Sequence, residues 1–99
     1  MKKKKTKILF VCTSGGRAEM AASCFPDYEC KACGIYSCDE DDLTLLYNWA
    51  DKVLCIENMH YEFMKNLFGE KKLVNLKISG FASSNRIVQC CKDEISKMN

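Results

Sequence analysis

Ninety-nine residues, 47% hydrophobic and 28% charged, have the composition of one globular domain built around a single core. No apolar run is long enough to span a bilayer, and nothing ahead of the first strand reads as a signal peptide, so a cytoplasmic protein without a membrane partner is expected. The formal charge of +2 is unevenly spread: Lys2, Lys3, Lys4, Lys5 and Lys7 supply five of the fifteen basic residues, leaving ten against thirteen acidic ones elsewhere. Residues 1–6 read as a short basic, solubilising tail, with nucleic acid an unfavoured partner, and 7–99 as one domain.

The run Lys7-Ile8-Leu9-Phe10-Val11 predicts a buried parallel strand that delivers Cys12 at its carboxyl end. In open α/β sheets that edge is where ligands bind. Thr13, Ser14, Gly15 and Gly16 follow as a short loop in which either glycine can take positive φ, so that successive amides can turn inward. A helix from Arg17 to Cys24 comes next, with Met20, Ala21 and Cys24 facing the core, and Phe25-Pro26-Asp27 ends it. Strand, loop and helix N-terminus together form a candidate anion cradle, whose binding groups are Thr13, Ser14, Gly15, Gly16, Arg17 and Ala18. A cysteine at its mouth is favoured as thiolate, and Arg17 can fork onto a bound oxyanion. Cys12 and Arg17 are accordingly the candidate catalytic pair. The plainer alternative is a glycine-rich turn that holds nothing.

A second strand is expected from Tyr28 to Cys33, closing at Gly34. Asp39, Glu40, Asp41 and Asp42 precede a helix from Asp42 to Ala50, where negative charge suits the helix dipole. Leu43, Leu46, Tyr47 and Ala50 give that helix its apolar stripe. Trp49 reads as a packing anchor, and Asp51 as a brace for a neighbouring loop. A third strand runs from Lys52 to Glu57. A third helix, from Asn58 to Phe68, has Asn58 as its N-cap and Met59, Phe63, Met64, Leu67 and Phe68 as its core face. His60, the one histidine, is expected to be exposed or locally bonded and to take no part in catalysis. A fourth strand from Leu73 to Ile78 leads into Ser79-Gly80-Phe81, a loop expected to overhang the cradle. The last helix, from Ser83 or Ser84 to Lys97, buries Ile87, Val88, Cys91 and Ile95. The alternation predicts a three-layer, Rossmann-like α/β sandwich with a four-stranded parallel sheet.

Eight cysteines, at 12, 24, 30, 33, 38, 55, 90 and 91, suit a reducing compartment better than a disulfide framework. Cys30 and Cys33 have the spacing of half a zinc site, but the other half is missing, and adjacent Cys90 and Cys91 chelate poorly. Packing is the favoured role for these four; a redox pair is the alternative, and no metal or cofactor is expected.

The chain resembles the low-molecular-weight protein tyrosine phosphatases, and more particularly their short bacterial and viral relatives. The resemblance rests on Ile8-Leu-Phe-Val-Cys12-Thr, on Arg17 with Met20-Ala21-Ala22, on Ala32-Cys33-Gly34, and on Trp49-Ala50-Asp51 through Glu57 and His60; it covers residues 7 to 95. It implies that Cys12 attacks phosphorus, that Arg17 and the loop amides hold the phosphoryl oxygens, and that a later aspartate protonates the leaving group. Two departures stand out. Only four residues separate Cys12 from Arg17, where the family has five, and no aspartate lies between Asp51 and Asp93. The family serine after the arginine is Ala18 here, and Glu19, Ser79 and Phe81 are the remaining candidates for the rim. The resemblance therefore implies a phosphate monoester hydrolase of weakened activity, acting on a phosphorylated protein or small phosphorylated ligand. The alternatives are a degenerate protein that sequesters or recognises a phosphorylated ligand, nucleotide-like signal or partner, and a thiol redox or arsenate-reductase-like activity.

Overall fold

The computed structural model describes residues 5–98, so the first four residues of the expected basic tail lie outside it. The apolar run after Lys7 forms β1 (Lys7–Cys12), and the glycine loop feeds α1 (Gly16–Ala22). The chain continues through β2 (Glu29–Gly34), α2 (Glu40–Trp49), β3 (Lys52–Cys55), α3 (Asn58–Phe68), β4 (Leu73–Asn75) and α4 (Ser84–Ser96). All pairings are parallel and the strand order is β2-β1-β3-β4. After β2 the chain crosses back over β1 to start β3, so the loops leaving β1 and β3 diverge at one point on the carboxyl edge. That switch point is the preferred ligand site of an open α/β sheet.

Helices cover both faces, as a parallel sheet requires. Ile8, Phe10 and Cys12 of β1, with Leu54, Ile56 and Ile78, pack against Ala18, Ala21, Ile87, Cys91 and Ile95 of α1 and α4. Leu9 and Val11, with Cys33, Val53 and Cys55, face Leu43 and Met64 of α2 and α3. Each fully buried aliphatic or aromatic side chain contributes about 1.5–3 kcal/mol. The β1 row alternates between these two cores with no exposed position after Lys7, so its register cannot slip without burying the wrong neighbours. At its start, Lys7 N–H donates to Asp51 Oδ2 at 2.9 Å, so Asp51 braces the first residue of β1 and not a loop as expected.

Several boundaries differ from expectation. Helix α1 ends at Ala22, and Cys24, expected in the core, is exposed; Ala18 takes the buried position instead. Helix α2 starts two residues early because Asp39 is its N-cap, accepting from Asp42 N–H at 2.9 Å, with Glu40, Asp41 and Asp42 in the first turn. Helix α3 is capped by Glu57 and not by Asn58. Strand β3 stops at Cys55 and β4 at Asn75, although Leu76 N–H and Ile78 N–H still donate to Cys55 and Ile56 carbonyls. Lys77, at φ 53°, turns the backbone out of the extended region between those two bonds and ends the strand.

Candidate active site

Cys12 sits at the last position of β1, 1% exposed, where the buried strand emerges at the switch point. Its sulfur accepts from Gly15 N–H at 3.0 Å and Ala18 N–H at 3.4 Å. The loop curls back on the sulfur because Gly15 takes φ 101°, a conformation open to glycine at little steric cost. It is backed by the end of β2: Ile35 N–H donates to Cys12 O and Tyr36 N–H to Thr13 O. Gly34 makes this closeness possible. A Cβ there would lie 2.4 Å from the Ser14 carbonyl carbon and 2.6 Å from Gly15 N.

Arg17, on the first turn of α1, reaches across the switch point. Its Nη2 donates to Glu57 Oε2 at 2.6 Å, with the two side chains 28% and 21% exposed. Its Nη1 is buried and has no hydrogen-bond partner among the described residues. A buried guanidinium donor left unpaired costs about 1–3 kcal/mol or more, so it is a position that an incoming acceptor would stabilise.

Glu57 is held in turn by α3. Its carboxylate accepts from the backbone N–H of His60, and His60 Nδ1 accepts from Glu57 N–H at 3.0 Å, a reciprocal capping box. With Nδ1 an acceptor, the neutral ring carries its proton on Nε2, which donates to Thr13 Oγ1 at 2.9 Å. His60 is therefore locally bonded, as one of the two expectations had it, but it is 0% exposed. Burial pushes its pKa below the ordinary histidine value and the Arg17 charge acts the same way, while Glu57 opposes both. The neutral imidazole thus ties the cysteine loop to the start of α3.

The remaining rim candidates are more dispersed. Glu19 is exposed on α1, and the carboxylate that meets Arg17 is that of Glu57. Ser79 Oγ accepts from Phe81 N–H at 3.1 Å, and Phe81 is wholly exposed. Between them Gly80 passes over Glu57, close enough that a Cβ would meet Glu57 Oε1 at 3.3 Å. The expected overhanging loop thus covers Glu57. Sequence reasoning gave Glu57 no role; the available signal was its place at the carboxyl end of the third strand, the edge that also carries Cys12.

All eight cysteines are free thiols. Burial pushes the thiols of Cys33, Cys55 and Cys91 up to about 12, and raises that of Cys30. Among the described residues, no group of three or more His, Cys, Asp or Glu side chains is arranged to hold a metal, and no helix is long and apolar enough to cross a membrane.

A four-stranded parallel sheet in the order β2-β1-β3-β4, with a cysteine loop between its first strand and first helix, defines a phosphatase-like α/β fold. Among solved structures the chain is similar to that of a YwlE mutant from Bacillus subtilis, with a TM-score of 0.61 over 93% of this chain and 92% of that one, at 19% identity. YwlE is a low-molecular-weight protein tyrosine phosphatase, and the likeness establishes the family resemblance at the level of fold. No family model matches the chain, and no curated protein does.

Proposed function

We propose that the chain is a phosphatase-like protein that takes a phosphoryl group into the Cys12 loop and hydrolyses phosphate monoesters through a cysteinyl-phosphate. The observation that carries this reading is the pairing of an amide-cradled sulfur with a neighbouring guanidinium that has a buried donor to spare. In the first step Cys12 sulfur bonds to phosphorus as the ester P–O bond breaks, and the leaving oxygen takes its proton from solvent. In the second, water attacks phosphorus, the S–P bond breaks and inorganic phosphate departs. Loop amides and Arg17 stabilise the phosphoryl oxygens in both steps. No carboxylate lies in the 76–83 segment after β4, so protonation of the leaving group is unassisted there. A missing general acid costs about 10²–10⁴-fold in rate, so turnover is weak and best with leaving groups of low pKa.

A second reading, a protein that binds phosphorylated ligands without turning them over, is favoured by one feature: residues 76–83 offer no acid to protonate a leaving group, while Cys12 and Arg17 are kept. A thiol relay is disfavoured by the high pKa of the buried cysteines on the sheet. Hydrolysis of p-nitrophenyl phosphate by the wild type and by Cys12→Ser decides between the first two. Turnover that is lost in Cys12→Ser supports the enzyme. Protection of the wild type against thermal unfolding by inorganic phosphate, without turnover, supports the binder. Neither turnover nor protection removes both.

A further inference from the structure

We infer that Lys77 is a specificity-determining residue of this site, selecting phosphorylated ligands that carry a second anionic group beside an apolar body. The inference rests on the proposed phosphoryl site at Cys12 and Arg17. A cavity of about 490 Å³ opens beside that site, lined by Glu57, Asn58, Met59, Lys77 and Ile78. One wall is therefore the carboxylate that grips Arg17, so the cavity adjoins the proposed phosphoryl position. Met59 and Ile78 give it an apolar lining suited to the body of an ester. The carboxylate on this wall is already paired with Arg17, whereas Lys77 forms no ion pair among the described residues.

The backbone at Lys77 is the second observation. It is the one non-glycine residue with positive φ among the described residues, at 53°. Residues other than glycine seldom hold this conformation unless the surroundings enforce it, and such positions cluster at functional sites. Here Asn75 does so: its Oδ1 accepts from Lys77 N–H at 3.1 Å while its Nδ2 donates to Asn58 Oδ1 at 2.9 Å. The asparagine pair joins the exit of β4 to the first turn of α3, so the lysine is fixed to the same helix start that holds Glu57. With its backbone held in this way, the exposed Lys77 puts an unpaired cation on the wall of a cavity whose carboxylate is already paired and whose Met59 and Ile78 are apolar, which matches a carboxylate or second phosphate on the far side of an aryl or alkyl phosphate.

The test compares phenyl phosphate with 3-carboxyphenyl and 4-carboxyphenyl phosphate as ligands of the full chain, by calorimetry at low ionic strength. The wild type should bind the better carboxylated probe about three- to tenfold more tightly than phenyl phosphate, and added salt should erode the preference. Lys77→Gly, which removes the charge while easing the backbone, should bring the ratio to about one, and Lys77→Arg should keep it. Equal affinity of the wild type for all three probes overturns the inference and leaves the phosphoryl site standing, as does a preference that survives in Lys77→Gly. Failure of every probe and of inorganic phosphate to bind overturns both.

Discussion

Gly34→Ala places a methyl group where the cysteine loop crosses the end of β2. The added Cβ would stand 2.4 Å from the Ser14 carbonyl carbon, and 2.6 Å from both Ser14 Cα and Gly15 N. Ordinary contact begins near 3.4 Å, so the loop must retreat by about 1 Å. All three neighbours are backbone atoms, which rules out relief by a rotamer change. Overpacking typically costs about 1–3 kcal/mol, and a backbone clash belongs at the upper end. Retreat also strains the Ile35 N–H to Cys12 O and Tyr36 N–H to Thr13 O bonds, each worth about 1 kcal/mol net. A loss of about 3 kcal/mol lowers Tm by roughly 12–24 °C in a domain of this size. Denaturant unfolding of both proteins gives the difference directly, and phosphate protection of the variant reports the shape of the loop. A variant within about 0.5 kcal/mol of wild type, still protected by phosphate, would refute the claim that Gly34 is what lets the loop close around the Cys12 sulfur.

Two further outcomes are expected. Glu57→Gln keeps an oxygen for the His60 amide but removes the charge that occupies Arg17; stability should fall by about 0.5–1 kcal/mol, while inorganic phosphate binds about fivefold more tightly. Weaker phosphate binding in calorimetry would instead mean that Glu57 holds Arg17 in its binding pose. His60 has a folded-state pKa below its ordinary value of 6.5, so below that pH the unfolded chain takes up a proton that the folded one resists. Its contribution to stability is present in full above about pH 6.5 and declines as the pH drops towards the lowered folded value. Urea melts at pH 7.5 and 5.5 should therefore show a smaller acid loss in His60→Gln than in wild type; parallel losses would contradict the neutral, buried assignment.

Much of the fold was legible because it is written in short-range pattern. The Ile8–Val11 run could be little other than a buried strand, and a polar glycine loop followed by an Ala/Met segment could only be a turn into a helix. The acidic run at Asp39 to Asp42 marked the start of α2, with the cap itself lying at Asp39, because a carboxylate there satisfies amides that the helix leaves unpaired. Helix α3 matched its expected span from Asn58 to Phe68, yet its cap did not. Asn58 has the better capping propensity; Glu57 holds the position through a reciprocal box with His60, and its carboxylate also meets Arg17.

What the amino-acid order determined by itself was the set of elements, their parallel arrangement, and the delivery of Cys12 to the carboxyl edge, since strand period, helix stripe and turn chemistry act over a few residues. The partners of that cysteine loop were decided only by tertiary structure. Arg17 meets Glu57 forty residues away, and Thr13 meets His60 forty-seven away, because β3 docks beside β1 and brings the two diverging loops together. A second pairing, of β4 with β3, aligned Asn75 with Asn58 to hold Lys77 in its turn. Such contacts depend on which strands become neighbours, a choice made by packing both sheet faces at once, and no local pattern records it.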